Sequence, residues 1–177
     1  MGQYYRPVFL EDQGNAITGW LSCYDYGNGA KLMEHSWVGN EFMTAVESQL
    51  STPTRLVWAG DYADPEPGTV ATLYAMAGWG SKISPDDPQR RSGRFVINHD
   101  RGMYVDKQQI PANADGWTVH PLSVLTAEGN ERGGGDLHED YTTGNFALVG
   151  TWARDRISVG EVVPDGFDRL TFDLVET

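Results

Sequence analysis

Four short polar segments hold the residues able to do chemistry: Glu34-His35-Ser36-Trp37, Trp58-Ala59-Gly60-Asp61-Tyr62-Ala63-Asp64, Asn98-His99-Asp100, and Glu128 to His138 with its run Gly133-Gly134-Gly135. In the last of these, successive glycines let backbone N–H groups turn toward one point and leave room for a ligand where Cβ atoms would stand. Arg132 adds a guanidinium fork matched to phosphate or carboxylate. Asn98 and Asn130 offer amides to read a ligand's edges, while Trp37 and Tyr62 offer rings to stack on it. The expected ligand is small, polar and nucleotide-like, with its anionic oxygens on Arg132 and the backbone of Gly133, Gly134 and Gly135. The competing explanation is an ordinary surface loop, since Gly and Asp are common turn residues and acidic neighbours repel an anion.

A second chemistry rests on carboxylates. If Asp61 and Asp64 converge to about 4 Å, their repulsion is about 4 kcal/mol at an effective dielectric of 20, so one stays protonated or a cation is recruited. With His35, His99 and Asp136 they would form a mixed N/O site for a divalent cation, the one cofactor implied. A metal-bound water could then attack a phosphate or glycosidic bond. His35, Asp61, His99 and Asp136 are the catalytic candidates of that hydrolase, with one histidine or Asp61 activating water. Turn closure or helix capping is the ordinary role of each Asp, and satisfying a neighbouring carbonyl that of each His. Tyr24, Tyr26, Trp37, Trp58, Tyr62, Trp79 and Trp117 could likewise stack on a base or sugar, or close the core. The chain carries no Gly-x4-Gly-Lys-Ser/Thr loop, no Gly-x-Ser-x-Gly elbow and no His-Glu-x-x-His. Cys23 is the only cysteine, which excludes an intramolecular disulfide and a thiolate zinc site; without a basic neighbour it reads as an inert core thiol.

These segments need elements to position them. In 177 residues, 40% hydrophobic and 21% charged, there is apolar material for one folded domain spanning 1–177. Tyr4 to Leu10 and Ile17 to Tyr24 read as a hairpin, and Asn28-Gly29 as a turn before a short element at Lys31 to Met33. Asn40 caps a helix with Phe42, Met43, Val46 and Leu50 on one face; Val70, Leu73, Tyr74 and Ala77 mark a second, shorter one. Strands are expected at Thr54 to Trp58, in a hairpin of Phe95 to Ile97 with Met103 to Val105, and at Trp117 to His120, Phe146 to Trp152, Ile157 to Val159 and Leu170 to Val175. The fold class is α+β, a mostly antiparallel curved sheet with two short helices. Trp-Ala-x-Asp recurs at Trp58 to Asp61 and Trp152 to Asp155, which would suit two equivalent strand ends.

Charge narrows the partners. The net charge is −12, and residues 119–177 carry eleven acidic against four basic side chains. Wrapping of nucleic acid and binding to anionic membranes are both disfavoured, since each needs a basic face. Arg90, Arg91 and Arg94 are a local exception. The acidic last third also suits a protein-interaction module. No stretch approaches the ~20 apolar residues of a membrane span, and Met1 to Leu10 lacks a secretory pattern, so a cytoplasmic location is expected.

Taken together, Gly2-Gln3-Tyr4-Tyr5, Asn28-Gly29-Ala30-Lys31-Leu32-Met33-Glu34-His35, Trp58-Ala59-Gly60-Asp61-Tyr62 and Gly129-Asn130-Glu131-Arg132-Gly133-Gly134-Gly135-Asp136 resemble blocks of a loose group of uncharacterised bacterial and phage-associated proteins. The resemblance implies a bacterial or viral source, a host cytoplasm and an accessory role; it carries no residue roles with it. Three expectations follow. The first is an accessory protein binding, and sequestering, a small nucleotide-like ligand such as a signalling nucleotide. The second is the divalent-metal hydrolase, and the third an acidic module that binds or inhibits a host defence protein. Oligomeric state is left open.

Overall fold

Alternating side chains of the first strand divide between two faces of a sheet, Tyr5 and Phe9 entering one apolar cluster, Val8 and Leu10 another. The computed structural model describes residues 3–14, 16–86, 91–129 and 137–177. Among them the strands are β1 (Tyr5–Leu10), β2 (Ile17–Trp20), β3 (Thr54–Gly60), β4 (Phe95–Asn98), β5 (Met103–Asp106), β6 (Ala127–Glu128), β7 (Thr142–Thr143), β8 (Arg156–Gly160), β9 (Asp168–Arg169) and β10 (Val175–Glu176). One sheet runs in the order β2-β1-β3-β8-β4-β5-β9, with β6 also on β3; β7 and β10 form a separate ladder. Only β3 with β6 and β5 with β9 are parallel, so the sheet is mostly antiparallel, and it is not strongly curled. The class is α+β, as the sequence predicts.

Helices cover both faces. In α1 (Glu41–Ser48), Asn40 accepts hydrogen bonds from the Phe42 and Met43 amides at 2.9 and 3.3 Å, satisfying two donors that a helix start leaves bare. Phe42, Met43 and Val46 then bury beneath Leu56 and Trp58 of β3 in the larger cluster. On the other face α2 (Leu73–Ala77), capped by Thr72, packs Leu73 and Ala77 against Val8, Leu10, Val57 and Ala59. A third helix, α3 (Pro121–Leu125), was not expected; Pro121 opens it and the His120 ring accepts the Leu122 amide at 3.1 Å. No helix among the described residues is long and apolar enough to cross a membrane.

Four expected strands are different in the structure. Ile17 to Tyr24 is a strand only as far as Trp20 and becomes a 3-10 turn over Cys23–Tyr26. Phe146 to Trp152 is a 3-10 turn over Phe146–Leu148 followed by further turns, because Gly150 adopts φ +75° and a Cβ there would stand 2.6 Å from the Ala127 carbonyl oxygen. Trp117 to His120 contributes a single bridge, Val119 to Trp37. Leu170 to Val175 does bury Phe172 and Leu174 alternately, yet only its end joins a ladder, as β10. The two Trp-Ala-x-Asp tetrads are not equivalent either: Trp58 to Gly60 closes β3, whereas Trp152 to Asp155 turns into β8.

Candidate functional site

The predicted residues fall at separate places. His35 is fully buried: Trp58 Nε1 donates to its Nε2 at 3.0 Å, so the proton sits on Nδ1, which donates to the Gly29 carbonyl, also at 3.0 Å. Burial pushes its pKa down to about 4, leaving a neutral imidazole between two fixed partners. Asp61, just beyond β3, accepts the Tyr4 amide at 2.9 Å and returns its own amide to the Tyr4 carbonyl; Tyr62 and Asp64 are exposed. Asn98 is fully buried, closing the β4–β5 turn through the Asp100 and Arg101 amides and donating to Asp155 at 2.8 Å. His99 meets the Ser158 hydroxyl at 2.7 Å, and burial, then the charge of Arg156, lowers its pKa.

Asn98 and His99 lie beside the Thr54 end of β3, Asp61 beyond its Gly60 end, and seven residues at ~3.3 Å each set these ends about 20 Å apart. His35, Asp61 and His99 therefore do not converge. Among the described residues no group of three or more His, Cys, Asp or Glu side chains is placed to hold a metal ion. Asn130, Arg132, Gly133, Gly134, Gly135 and Asp136 lie outside the described residues. The start of their segment is visible: Glu128 pairs with Ala59, and Cβ atoms added at Gly60 and Gly129 would both strike the Gln3 side chain. The second and fourth polar segments thus meet at the Gly60 end of the sheet.

Trp37 has a different setting. Val38 donates to Thr118 at 2.9 Å and His120 to Ser36 at 2.8 Å, so residues 36–38 and 118–120 run antiparallel and bring Trp37 to Trp117. The two indoles stand edge to face, centroids 5.9 Å apart, and Trp117 is 57% exposed. They line an open hollow of about 420 Å³ with Asn40, Asn113, Glu34, Asp115 and Glu176. Four of the lining side chains are locally fixed. Trp37 Nε1 donates to the Met33 carbonyl at 2.7 Å; Asn113 Oδ1 accepts the amides of Asp115 and Trp117 at 3.1 and 2.9 Å; Gly116 completes that turn at φ +86°. Glu34 accepts the Lys31 amide at 2.9 Å, and Asn40 is held by its capping bonds and by Asn28. Among the described residues, three carboxylates and no cationic side chain line this space. Such a lining attracts N–H donors and rings and repels bare anions. Asn113, Asp115 and Glu176 were absent from the sequence candidates; the Asn-Ala-Asp-Gly-Trp run was the available signal, a turn signature ending on an aromatic.

A larger groove, about 540 Å³, is lined by Arg55, Arg154 and Arg156 beside Asp12, but its guanidiniums are engaged. Arg55 and Arg156 share Asp100 at 3.2 and 2.7 Å, and Arg154, in a left-handed backbone at φ +69°, bridges Glu66 and Glu128. Inside the core, Glu47 of α1 accepts from Lys107, Ser92 and His120. Because the Leu122 amide occupies His120 Nδ1, His120 Nε2 carries the proton that it gives to Glu47. Burial opposes the Glu47 charge, yet His120 and Lys107 hold its pKa below the usual carboxylate range. Cys23 is buried, its thiol pushed up to about 11 by burial. No protein-family model, no curated protein and no solved structure matches this chain.

Proposed function

We propose that the protein binds a small polar, nucleotide-like ligand, and that the Trp37–Trp117 hollow takes the ligand's ring. One observation carries this reading: a tryptophan left 57% exposed stands edge to face with a second, half-buried one over an open space of ligand size. A flat ring entering it stacks on one indole and meets the edge of the other, gaining about 1–3 kcal/mol per stacked base. The polar rim of Asn113, Asp115 and Glu34 then addresses the ring's edge. The same carboxylates oppose a bare phosphate, so the nucleoside part enters and any phosphate stays outside. With the bacterial or phage source that the sequence resemblance implies, such binding acts by sequestration.

Tryptophan fluorescence tests this. Purine and pyrimidine nucleosides are titrated into the protein beside their 5′-monophosphates. At least one nucleoside should quench or shift the emission with saturation, the monophosphate should bind more weakly, and Trp117→Ala should abolish the response. A flat signal for every nucleoside up to millimolar concentration would end this reading.

A further inference from the structure

We infer that the hollow selects a guanine-type edge, one acceptor beside two adjacent N–H donors; the inference rests on the reading of the hollow as a nucleoside site. Asn113 carries the first half of the argument. Its Oδ1 is occupied by the amides of Asp115 and Trp117, which fixes the amide's orientation and leaves Nδ2 as the group to donate. Asp115, two residues along and exposed, brings a carboxylate, an acceptor whose two oxygens can take two N–H groups in parallel.

Among the described residues the hollow is lined by the Asn113 amide and by the carboxylates of Asp115, Glu34 and Glu176, with no ammonium or guanidinium, and of the three carboxylates Asp115 shares a turn with the Asn113 donor. Guanine answers with O6 to the Asn113 amide and N1–H and N2–H to the Asp115 carboxylate, so that the three groups of that edge are all paired. Adenine sets its ring N1 lone pair against the carboxylate. Uracil and cytosine set a carbonyl oxygen there. Each mismatch combines a lost charge-assisted hydrogen bond with repulsion between two acceptors, and a site that pairs donors rejects an analogue lacking them. Trp37 and Trp117 are indifferent to base identity, since every base has a π-face, so the selection belongs to the rim.

Calorimetric titration of the full chain with guanosine, inosine, adenosine and uridine tests the assignment, because inosine is guanosine without the N2 amine. Guanosine should bind at least about tenfold more tightly than adenosine or uridine, with inosine between them. In Asp115→Asn, an exposed change whose folding is checked by thermal melting, guanosine should weaken about tenfold while adenosine binds no more weakly than to the parent. Equal affinities for guanosine and adenosine, or an Asp115→Asn variant that keeps the preference, would overturn the edge assignment and leave the hollow a nucleoside site. Binding of no nucleoside at all would overturn both.

Discussion

His35 is neutral because both ring nitrogens already have partners, Gly29 and Trp58, and because burial disfavours a charge there. Its folded pKa, about 4, lies below the ordinary 6.5, so on acidification the unfolded chain takes up this proton first. The contribution to stability is complete above about pH 6.5 and is lost as pH falls toward about 4, on the order of 3 kcal/mol in all. His99 and His120 are shifted in the same direction and deepen the same acid loss. Gln at position 35 can donate to Gly29 and accept from Trp58 without titrating. Urea unfolding of His35→Gln between about pH 7 and pH 4 should therefore show a shallower acid loss than the parent, by about one proton. Identical slopes would mean that His35 does not titrate across unfolding. The contrast with Trp37, two residues on, is instructive: one residue of the segment completes the core and the other lines an open hollow.

At the scale of elements, Glu47 ties α1 to the segment after β5 through Lys107 and to α3 through His120. Removing one partner of a buried pair leaves a charge uncompensated, at a cost of about 3–5 kcal/mol. Lys107→Met should lose about that much in urea unfolding near neutral pH. A loss under about 0.5 kcal/mol would show that Lys107 is solvated rather than paired. The α1 end of this tie was legible in sequence, since Asn40 and the Phe42, Met43, Val46 spacing both announce a helix. Glu47 was not, because a carboxylate beside an apolar stripe reads as solvent-facing until its partners, 60 and 73 residues away, are placed. α3 escaped for a related reason: five residues, all buried, show no amphipathic period. Phe146 to Trp152 misled in the opposite way, an apolar run whose left-handed Gly150 no periodicity reveals. Trp37 and Trp117 were each recognisable as stacking residues, but their meeting depends on a pairing across some eighty positions, which tertiary structure alone supplies.

The whole molecule carries −12, and its visible ion pairs are of two kinds that respond to salt differently. Arg55 and Arg156 on Asp100, and Arg101 on Asp155, are partly exposed and weaken as ions screen them. The Glu47 network is buried and barely screened. Against these small losses stands the mutual repulsion of the excess carboxylates, greater in the compact state than in the expanded chain and falling as the Debye length shrinks from about 10 Å at 0.1 M to about 3 Å at 1 M. The repulsion should dominate, because a net charge acts over every pair of carboxylates while each exposed bridge acts once. Raising potassium chloride from about 0.1 M to 1 M should therefore move the urea midpoint upward by on the order of 2 kcal/mol in stability. Chloride is the right choice, since sulfate would strengthen apolar burial as well and obscure the electrostatic part. A midpoint that falls instead would assign the electrostatic stability of this fold to its arginine–aspartate bridges, and Asp100→Asn, which removes the two at the Thr54 end of β3, would then reduce the salt dependence.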